Sequence, residues 1–136
     1  MPGASTVTRD RLLNWFKGTA YPAVPTTTYL GLYTSATGPG AEGTEVTGGA
    51  YARAAITSAT GWSAISTVGG IRQISNAGIV SHTAASAGWG TPTHFALSDA
   101  LTAGNRLAYG TLAQAQVVNT GDTVSHAIGA LKLTMA

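Results

Sequence analysis

Turn-forming residues recur at short intervals from residue 28 onward, and this spacing limits the fold more than any other feature of the sequence. Segments such as "SATGPGAEG", "VGG", "SAGWG" and "NTGD" separate apolar runs that lie about 8 to 12 residues apart. Several runs alternate with period two, since in "TYLGLYT" Leu30 and Leu32 lie on one side and the tyrosines on the other. The pattern predicts an all-β fold, a jelly-roll-like antiparallel β-sandwich of about eight strands.

Eight segments are expected to supply these strands: "TYLGLYT", "AYARAAI", "IRQIS", "AGIVSH", "THFALSD", "RLAYGTL", "QAQVV" and "TVSHAIGALKLTM". The Gly104–Asn105 pair predicts a tight turn between the fifth and sixth of these segments, because both residues tolerate positive φ. Asp99 and Asp122 are expected to cap turns with their side chains.

One short amphipathic segment precedes the strands. In "RDRLLNWFKG" the side chains of Leu12, Leu13 and Phe16 share a helical face, Thr8 is a possible N-cap, and Gly18 ends the run. Such a helix either plugs one end of its own core or docks on a neighbouring subunit. We therefore expect an N-terminal arm over residues 1–27 and a sandwich domain over 28–136.

Charge and cysteine content exclude several classes of protein. Charged residues make up only 9% of the 136 residues, against about 25% in an average globular protein, and the chain has no cysteine. Disulfides and thiolate metal sites are therefore absent, and no run of lysine or arginine predicts direct nucleic-acid binding. No apolar stretch approaches the roughly 20 residues of a membrane span, and the first residues do not read as a signal peptide, so synthesis in a cytoplasm is expected.

The glycine-rich segment before residue 50 matches two phosphate-binding patterns only in outline. "GPGAEG" has dinucleotide-loop spacing, but the sequence after it reads as a strand and has no acid at the required distance. In "GTEVTGG" the P-loop lysine position is occupied by Gly49. The glycines are therefore interpreted as turn formers, with Gly48 and Gly49 reversing the chain, and no cofactor is expected.

No catalytic or metal-binding constellation is evident. The three histidines, His82, His94 and His126, lie on separate predicted strands without ligand spacing, and each is expected to be a half-exposed strand residue. There is no nucleophile elbow and no carboxylate pair outside the glycine-rich loop. A binding or structural role remains. Trp62 and Trp89, each beside a glycine, either pack at corners of the sandwich or lie exposed for a partner.

The order of several motifs resembles a family of small virion proteins of tailed bacteriophages. The most specific are "GTEVTGGAYAR" and the hairpin from "WGTPTHFALSDA" to "GNRLAYG"; "FKGTAY", "TYLGLYTSA", "ISNAGIV" and "GDTVSHAIGALKLTM" follow the same order. Pro92 and Ser98 depart from the family pattern. Members are known as tail-fibre, minor tail or head-decoration proteins, so the resemblance implies a structural virion component without enzymatic activity.

Within that family we predict a capsid decoration (cement) protein on the capsid exterior, assembled in the host cytoplasm. Its expected partners are the major capsid protein and further copies of itself, as a dimer or trimer, with no nucleic acid or membrane. The contacts are expected in the N-terminal arm and the loop 38–49, where Glu45 and Arg53 form an ion pair or meet a neighbouring subunit. The predicted partner-binding residues are Arg9, Arg11, Trp15, Lys17, Glu45, Arg53, Trp62 and Trp89. The alternative is a minor tail or tail-fibre protein that contacts a host glycan.

Overall fold

The computed structural model describes residues 3–40 and 42–135, which form one helix and ten strands. In chain order the elements are β1 (Gly3–Ala4), α1 (Thr6–Phe16), β2 (Thr27–Tyr33), β3 (Ala54–Thr57), β4 (Ser66–Val68), β5 (Ile71–Ser75), β6 (Val80–Ser81), β7 (His94–Ser98), β8 (Arg106–Thr111), β9 (Ser125–His126) and β10 (Lys132–Met135).

The strands make three sheets, in which every pairing between the described strands is antiparallel. A five-stranded sheet has the order β1-β8-β7-β2-β3, a three-stranded sheet has the order β10-β5-β4, and β6 pairs with β9. The predicted all-β sandwich with a short N-terminal helix is confirmed.

The main core lies against the centre of the five-stranded sheet. Leu30 of β2, Phe95 and Leu97 of β7 and Ala108 of β8 are buried together with Leu131, which precedes β10. The alternation predicted for "TYLGLYT" places Leu30 and Leu32 fully inside, each with no exposed surface. A second buried cluster surrounds Leu32 and Trp89 at one end of the sandwich.

The connection between β7 and β8 lies where it was predicted, but it is a loop over residues 99–105 and not a tight two-residue turn, and positive φ is found at Ala103 and Gly104, not at Asn105. The turn between β7 and β8 contains Gly104 with φ +74°, and the Asp99 carboxylate accepts a hydrogen bond from the Asn105 amide at 2.7 Å. Asp122 likewise accepts one from the Asn119 amide at 2.9 Å. Both predicted aspartate caps are confirmed.

Strand boundaries differ from the sequence predictions in several places. "QAQVV" forms no strand and contributes only an isolated bridge between Val118 and Gly90, while "AYARAAI" becomes extended only from Ala54. "TVSHAIGALKLTM" is divided by a turn into β9 and β10. The short strands β1 and β4 were not predicted, because two or three residues carry no detectable period.

Candidate docking surface

The base of α1 is fixed to the edge of the main sheet. Gly3 and Ala4 pair with Tyr109 and Ala108 of β8, which places the start of the arm within the five-stranded sheet. The Ser5 amide then donates to the Leu107 carbonyl at 3.0 Å. Hydrogen bonds to β8 therefore fix the point at which α1 begins.

The N-cap of α1 is Ser5, and the prediction of Thr8 was wrong. The Ser5 hydroxyl oxygen accepts a hydrogen bond from the Thr8 amide at 3.3 Å, while the Thr8 hydroxyl donates to the Leu107 carbonyl at 2.6 Å. The run ends at Gly18 as predicted, with φ +87°. Thr8 thus anchors the helix to β8.

The apolar side chains of α1 face away from the domain. No residue of the helix is buried, and the half-buried positions Val7, Thr8 and Arg11 lie toward the sheet. Leu13 and Phe16, on the outer side, keep 60% and 71% of their surface exposed. A helix that stabilises its own domain has the opposite arrangement. The alternative in which α1 plugs its own core is therefore wrong.

The four predicted contact residues of the arm are at or near this surface. Arg9 and Lys17 are exposed, and Trp15 is 54% exposed with its ring edge-to-face against Phe16 at 5.1 Å. Arg11 is half-buried, and its guanidinium lies 3.8 Å from the Asp99 carboxylate. Three of the four lie on α1 and Lys17 is its C-cap, whereas the other predicted contact residues lie elsewhere.

Glu45 and Arg53 form the predicted ion pair. The Arg53 Nε and Nη2 atoms donate to the two Glu45 carboxylate oxygens at 2.7 and 2.8 Å, and Arg53 Nη1 donates to the carbonyls of Ala100 and Ala103 at 2.9 Å each. The Tyr51 hydroxyl adds a bond to Glu45 at 2.9 Å. Burial raises the pKa of Glu45, but the hydrogen bonds from Arg53 and Tyr51 outweigh it, so the pKa is lowered. The pair joins the segment around residue 45 to the turn after β7.

The loop 38–49 is also held by Arg106 and by the entry to α1. Arg106 donates to the carbonyls of Gly38 and Glu42 at 3.1 and 2.9 Å, and the Thr6 amide donates to the Pro39 carbonyl at 2.8 Å. Ala41 lies outside the described residues. The loop is therefore hydrogen-bonded both to β8, through Arg106, and to the first residue of α1.

Trp89 is buried, so the prediction that its side chain contacts a partner is wrong. Its ring is 4% exposed, and the indole N–H donates to the Gly49 carbonyl at 2.9 Å. A Cβ atom on Gly49 would lie 2.6 Å from the Ala87 carbonyl and 2.9 Å from the Trp89 indole nitrogen. Gly49 is therefore required for close approach as well as for its positive φ of 57°.

Trp62 is half-buried. It packs against the main core and makes a bridge with Asn76. Of the two alternatives for the tryptophans, corner packing describes Trp89 fully and Trp62 in large part.

A cluster of four rings at the end of the sandwich was not predicted. His82 stacks on Tyr51 at 6.1 Å and meets Trp89 and His126 edge-on at 6.2 and 5.8 Å. His82 is 4% exposed, which contradicts the half-exposed position expected for it. The positions are far apart in sequence and share no motif, so no local signal could have joined them.

Burial keeps both clustered histidines neutral. Burial lowers the pKa of His82 against the effect of its hydrogen bond with the Ala52 carbonyl. Burial, with the nearby His82 adding to it, lowers the pKa of His126 to about 4. The Nε2 atoms of both rings are buried without a hydrogen-bond partner in the described chain. This end of the molecule is therefore sensitive to protonation.

Within residues 3–40 and 42–135, no group of three or more histidine and acidic side chains could hold a metal ion. Among the same residues, no helix is long and apolar enough to cross a membrane.

An apolar groove of about 440 Å³ runs beside α1 and is called the α1 groove. One wall comes from the helix itself, through Thr8 and Arg11. The rest comes from the segment 21–25, Ile65, and strands β1, β5, β7, β8 and β10. Two charged side chains, Arg11 and Arg72, and a few uncharged polar ones interrupt an otherwise mainly apolar surface. An apolar helix face and an apolar groove therefore lie side by side.

Comparison with known protein families also indicates a structural protein. A family model described as Gp80, Podophage GP4 fiber I protein gp80, matches residues 3–134. The match begins in β1 and reaches into β10, so it includes α1, the α1 groove and the ring cluster. No curated protein matches the sequence.

Proposed function

The chain belongs to the family of podophage GP4 fiber I protein gp80, and on that premise we propose that it is a non-enzymatic structural subunit of a tailed-phage particle, held to neighbouring subunits through the outer face of α1. The observation that carries the proposal is the exposure of Leu13 and Phe16 on a helix whose base is bonded to the sheet. A rigidly positioned apolar face is a feature of interaction sites. Repetition of such modest contacts over a particle gives strength through multivalency.

The first candidate position in the particle is a fibre or another tail appendage. The family description names a fibre protein, and this supports the appendage. Contact with a host glycan remains a prediction of this candidate. It rests on Trp62, because the ring of Trp89 is buried. Glycan binding that disappears in Trp62→Ala, with folding unchanged, would support it.

The second candidate is the capsid decoration protein on the capsid exterior, bound to the major capsid protein. The described chain is a small sandwich whose single helix has 11 residues, and it has no helical stalk. That shape suits a domain that lies on a shell. The two candidates share the docking helix and differ in the partner.

Copy number distinguishes the two candidates. Quantitative mass spectrometry of purified virions and of tail-less heads gives the number of copies in each. A number that scales with the capsid lattice, retained in tail-less heads, supports decoration. A small number that is absent from tail-less heads supports the appendage. Absence from virions altogether overturns the proposed function.

Point variants test the role of α1 better than deletion of the arm, since deletion also removes β1 from the sheet edge. We expect Leu13→Gln/Phe16→Gln to fold and to be lost from virions in a complementation assay. Ile79→Gln/Ile128→Gln is the matched control, because Ile79 and Ile128 are 69% and 67% exposed and lie away from the helix. Equal incorporation of both variants would contradict the role of the helix.

A further inference from the structure

A second cavity, of about 480 Å³, lies between the segments 111–118 and 124–131 and is called the side cavity. Its floor is formed by Phe95 and Leu131 of the main core and by Val118 of the second buried cluster, so it lies where the two clusters meet. Protein interiors are close-packed and leave few voids larger than a water molecule, whereas this volume is in the range of ligand pockets. The side cavity is therefore a candidate binding site.

One wall of the side cavity comes from "QAQVV", the segment that was predicted as a strand and forms none. Leu112, Gln114, Gln116 and Val118, at alternate positions, line the cavity together with Ala113. Both glutamines are exposed, and neither makes a side-chain hydrogen bond with another described residue. Two primary amides with free hydrogen-bonding groups therefore lie at the rim of an apolar floor.

Two hydroxyl groups complete the rim. Thr111 at the end of β8 and Ser125 on β9 are exposed, line the cavity, and make no side-chain hydrogen bond within the described chain. Amide and hydroxyl groups both donate and accept hydrogen bonds, so these four side chains match a ligand that carries several hydroxyl groups. A wholly apolar ligand would cover them without replacing their hydrogen bonds to water, which is unfavourable.

The side cavity carries no charge. Its described lining contains no aspartate, glutamate, lysine or arginine. Its one titratable side chain, His126, is neutral near neutral pH, because burial and the nearby His82 lower its pKa to about 4. The α1 groove, by contrast, is lined by Arg11 and Arg72. A charged group in the side cavity would lose hydration without gaining a counter-charge, so the expected ligand is neutral.

A neutral saccharide combines these properties, since a pyranose ring carries hydroxyl groups around its edge and apolar C–H groups on its faces. We propose that the side cavity binds a neutral oligosaccharide, with the amides of Gln114 and Gln116 hydrogen-bonded to its hydroxyl groups and its C–H groups packed on the apolar floor. The inference rests on the tail-appendage candidate of the proposed function, for which it names a ligand class and a site. Trp62 does not line this cavity, so the site is separate from the contact predicted at that residue.

Nuclear magnetic resonance of the isotope-labelled full chain tests the proposal, because the side-chain amide signals of Gln114 and Gln116 report on the cavity directly. The probes are neutral disaccharides of glucose, galactose, mannose, rhamnose and N-acetylglucosamine, with digalacturonic acid as the charged counterpart of the galactose disaccharide. We expect at least one neutral disaccharide to shift both amide signals in a saturable way, and digalacturonic acid to bind at least ten-fold more weakly than the best neutral probe. The inference is overturned if no neutral probe shifts these signals, or if digalacturonic acid binds within ten-fold of the best one.

Side-chain variants separate the side cavity from other sites on the chain. Gln114→Ala/Gln116→Ala should bind the best neutral probe at least ten-fold more weakly, because the ligand loses its amide partners. Both positions are exposed, so the variant should fold, which circular dichroism checks. Asn14→Ala, which removes an exposed amide on α1, is the matched control, and Trp62→Ala should also bind as the wild type does.

Undiminished binding by the glutamine variant overturns the inference, because the ligand then lies elsewhere. A chain that binds none of the saccharides but is incorporated into virions overturns this inference alone and leaves the proposed function standing.

Discussion

The two ends of this molecule treat apolar and polar groups in opposite ways. At α1 the apolar side chains of Leu13 and Phe16 lie in solvent, whereas at the ring cluster the side chains of His82 and Trp89 lie inside. The two tryptophans show the contrast most directly, because Trp15 is 54% exposed and Trp89 is 4% exposed. The ring-cluster end is complete within one chain. The helix end leaves an apolar helix face and an apolar groove exposed to solvent.

The contrast between the two tryptophans predicts the largest effect on stability. Trp89→Ala should lower the free energy of unfolding by about 3 to 5 kcal/mol, because it leaves a cavity in the second core cluster and removes the bond to Gly49. Trp15→Ala should change it by less than about 0.5 kcal/mol in the monomer. Urea denaturation of both variants measures the difference, and similar losses would break the comparison.

Arg53 gives the next largest effect. Arg53→Met should cost about 2 to 3 kcal/mol, since Glu45 loses its partner and two carbonyls of the turn after β7 lose a donor. Adding Glu45→Gln should recover part of the loss, because the unpaired carboxylate is then removed. Arg9→Met, on the exposed helix, is the control and should be nearly neutral. A double variant no more stable than Arg53→Met would argue against the ion pair as the cause.

The ring cluster predicts a smaller effect that depends on pH. Because the pKa of His126 falls from about 6.5 in the unfolded chain to about 4 in the folded one, the folded state binds fewer protons between these values. Stability is therefore complete above about pH 6.5 and falls as the pH decreases toward 4, by about 2 kcal/mol after allowance for partial exposure.

Denaturation at several pH values checks this window. His126→Gln should flatten the decrease, whereas His94→Gln, outside the ring cluster, should leave it unchanged. A decrease confined to pH below 4 would instead assign the effect to carboxylates such as Glu45 and Asp99, whose pKa values are lowered in the folded chain.

The smallest expected effect lies at the outer face of α1. Leu13→Gln/Phe16→Gln should change monomer stability by no more than about 0.5 kcal/mol, because both side chains are already in solvent. Thermal unfolding at concentrations below association provides the measurement. A destabilisation of several kcal/mol would mean that this face supports its own domain, which would remove the distinction between the two ends.

The fold class could be predicted from the sequence because the alternation of apolar residues and the positions of turn residues are short-range signals. Leu30 and Leu32 alternate with tyrosines, and Gly104 and Asp99 lie in the turn between β7 and β8, so a strand-and-turn interpretation was reliable. The resemblance to tailed-phage virion proteins is confirmed by the family match. The Glu45–Arg53 pair was also predictable, because eight residues separate its members across one glycine turn.

The ring cluster and the α1 groove required the three-dimensional structure. His82 and His126 are brought together by the pairing of β6 with β9, which depends on strands too short to show a period. The groove similarly combines a helix with strands from the five-stranded and the three-stranded sheets. The exposure of the outer face of α1 could not be predicted for a different reason. An apolar stripe on a helix has the same sequence pattern whether its partner lies in the same chain or in another.

The pairing of β1 with β8 has a consequence for the order in which the molecule matures. The register joins Gly3 to Tyr109, so the helix that follows β1 gains its fixed direction only after much of the chain has been made and folded. The groove forms later still, because β10 supplies one of its walls. A nascent chain therefore carries the apolar helix long before the groove beside it exists, and the complete apolar surface forms only at the end of folding.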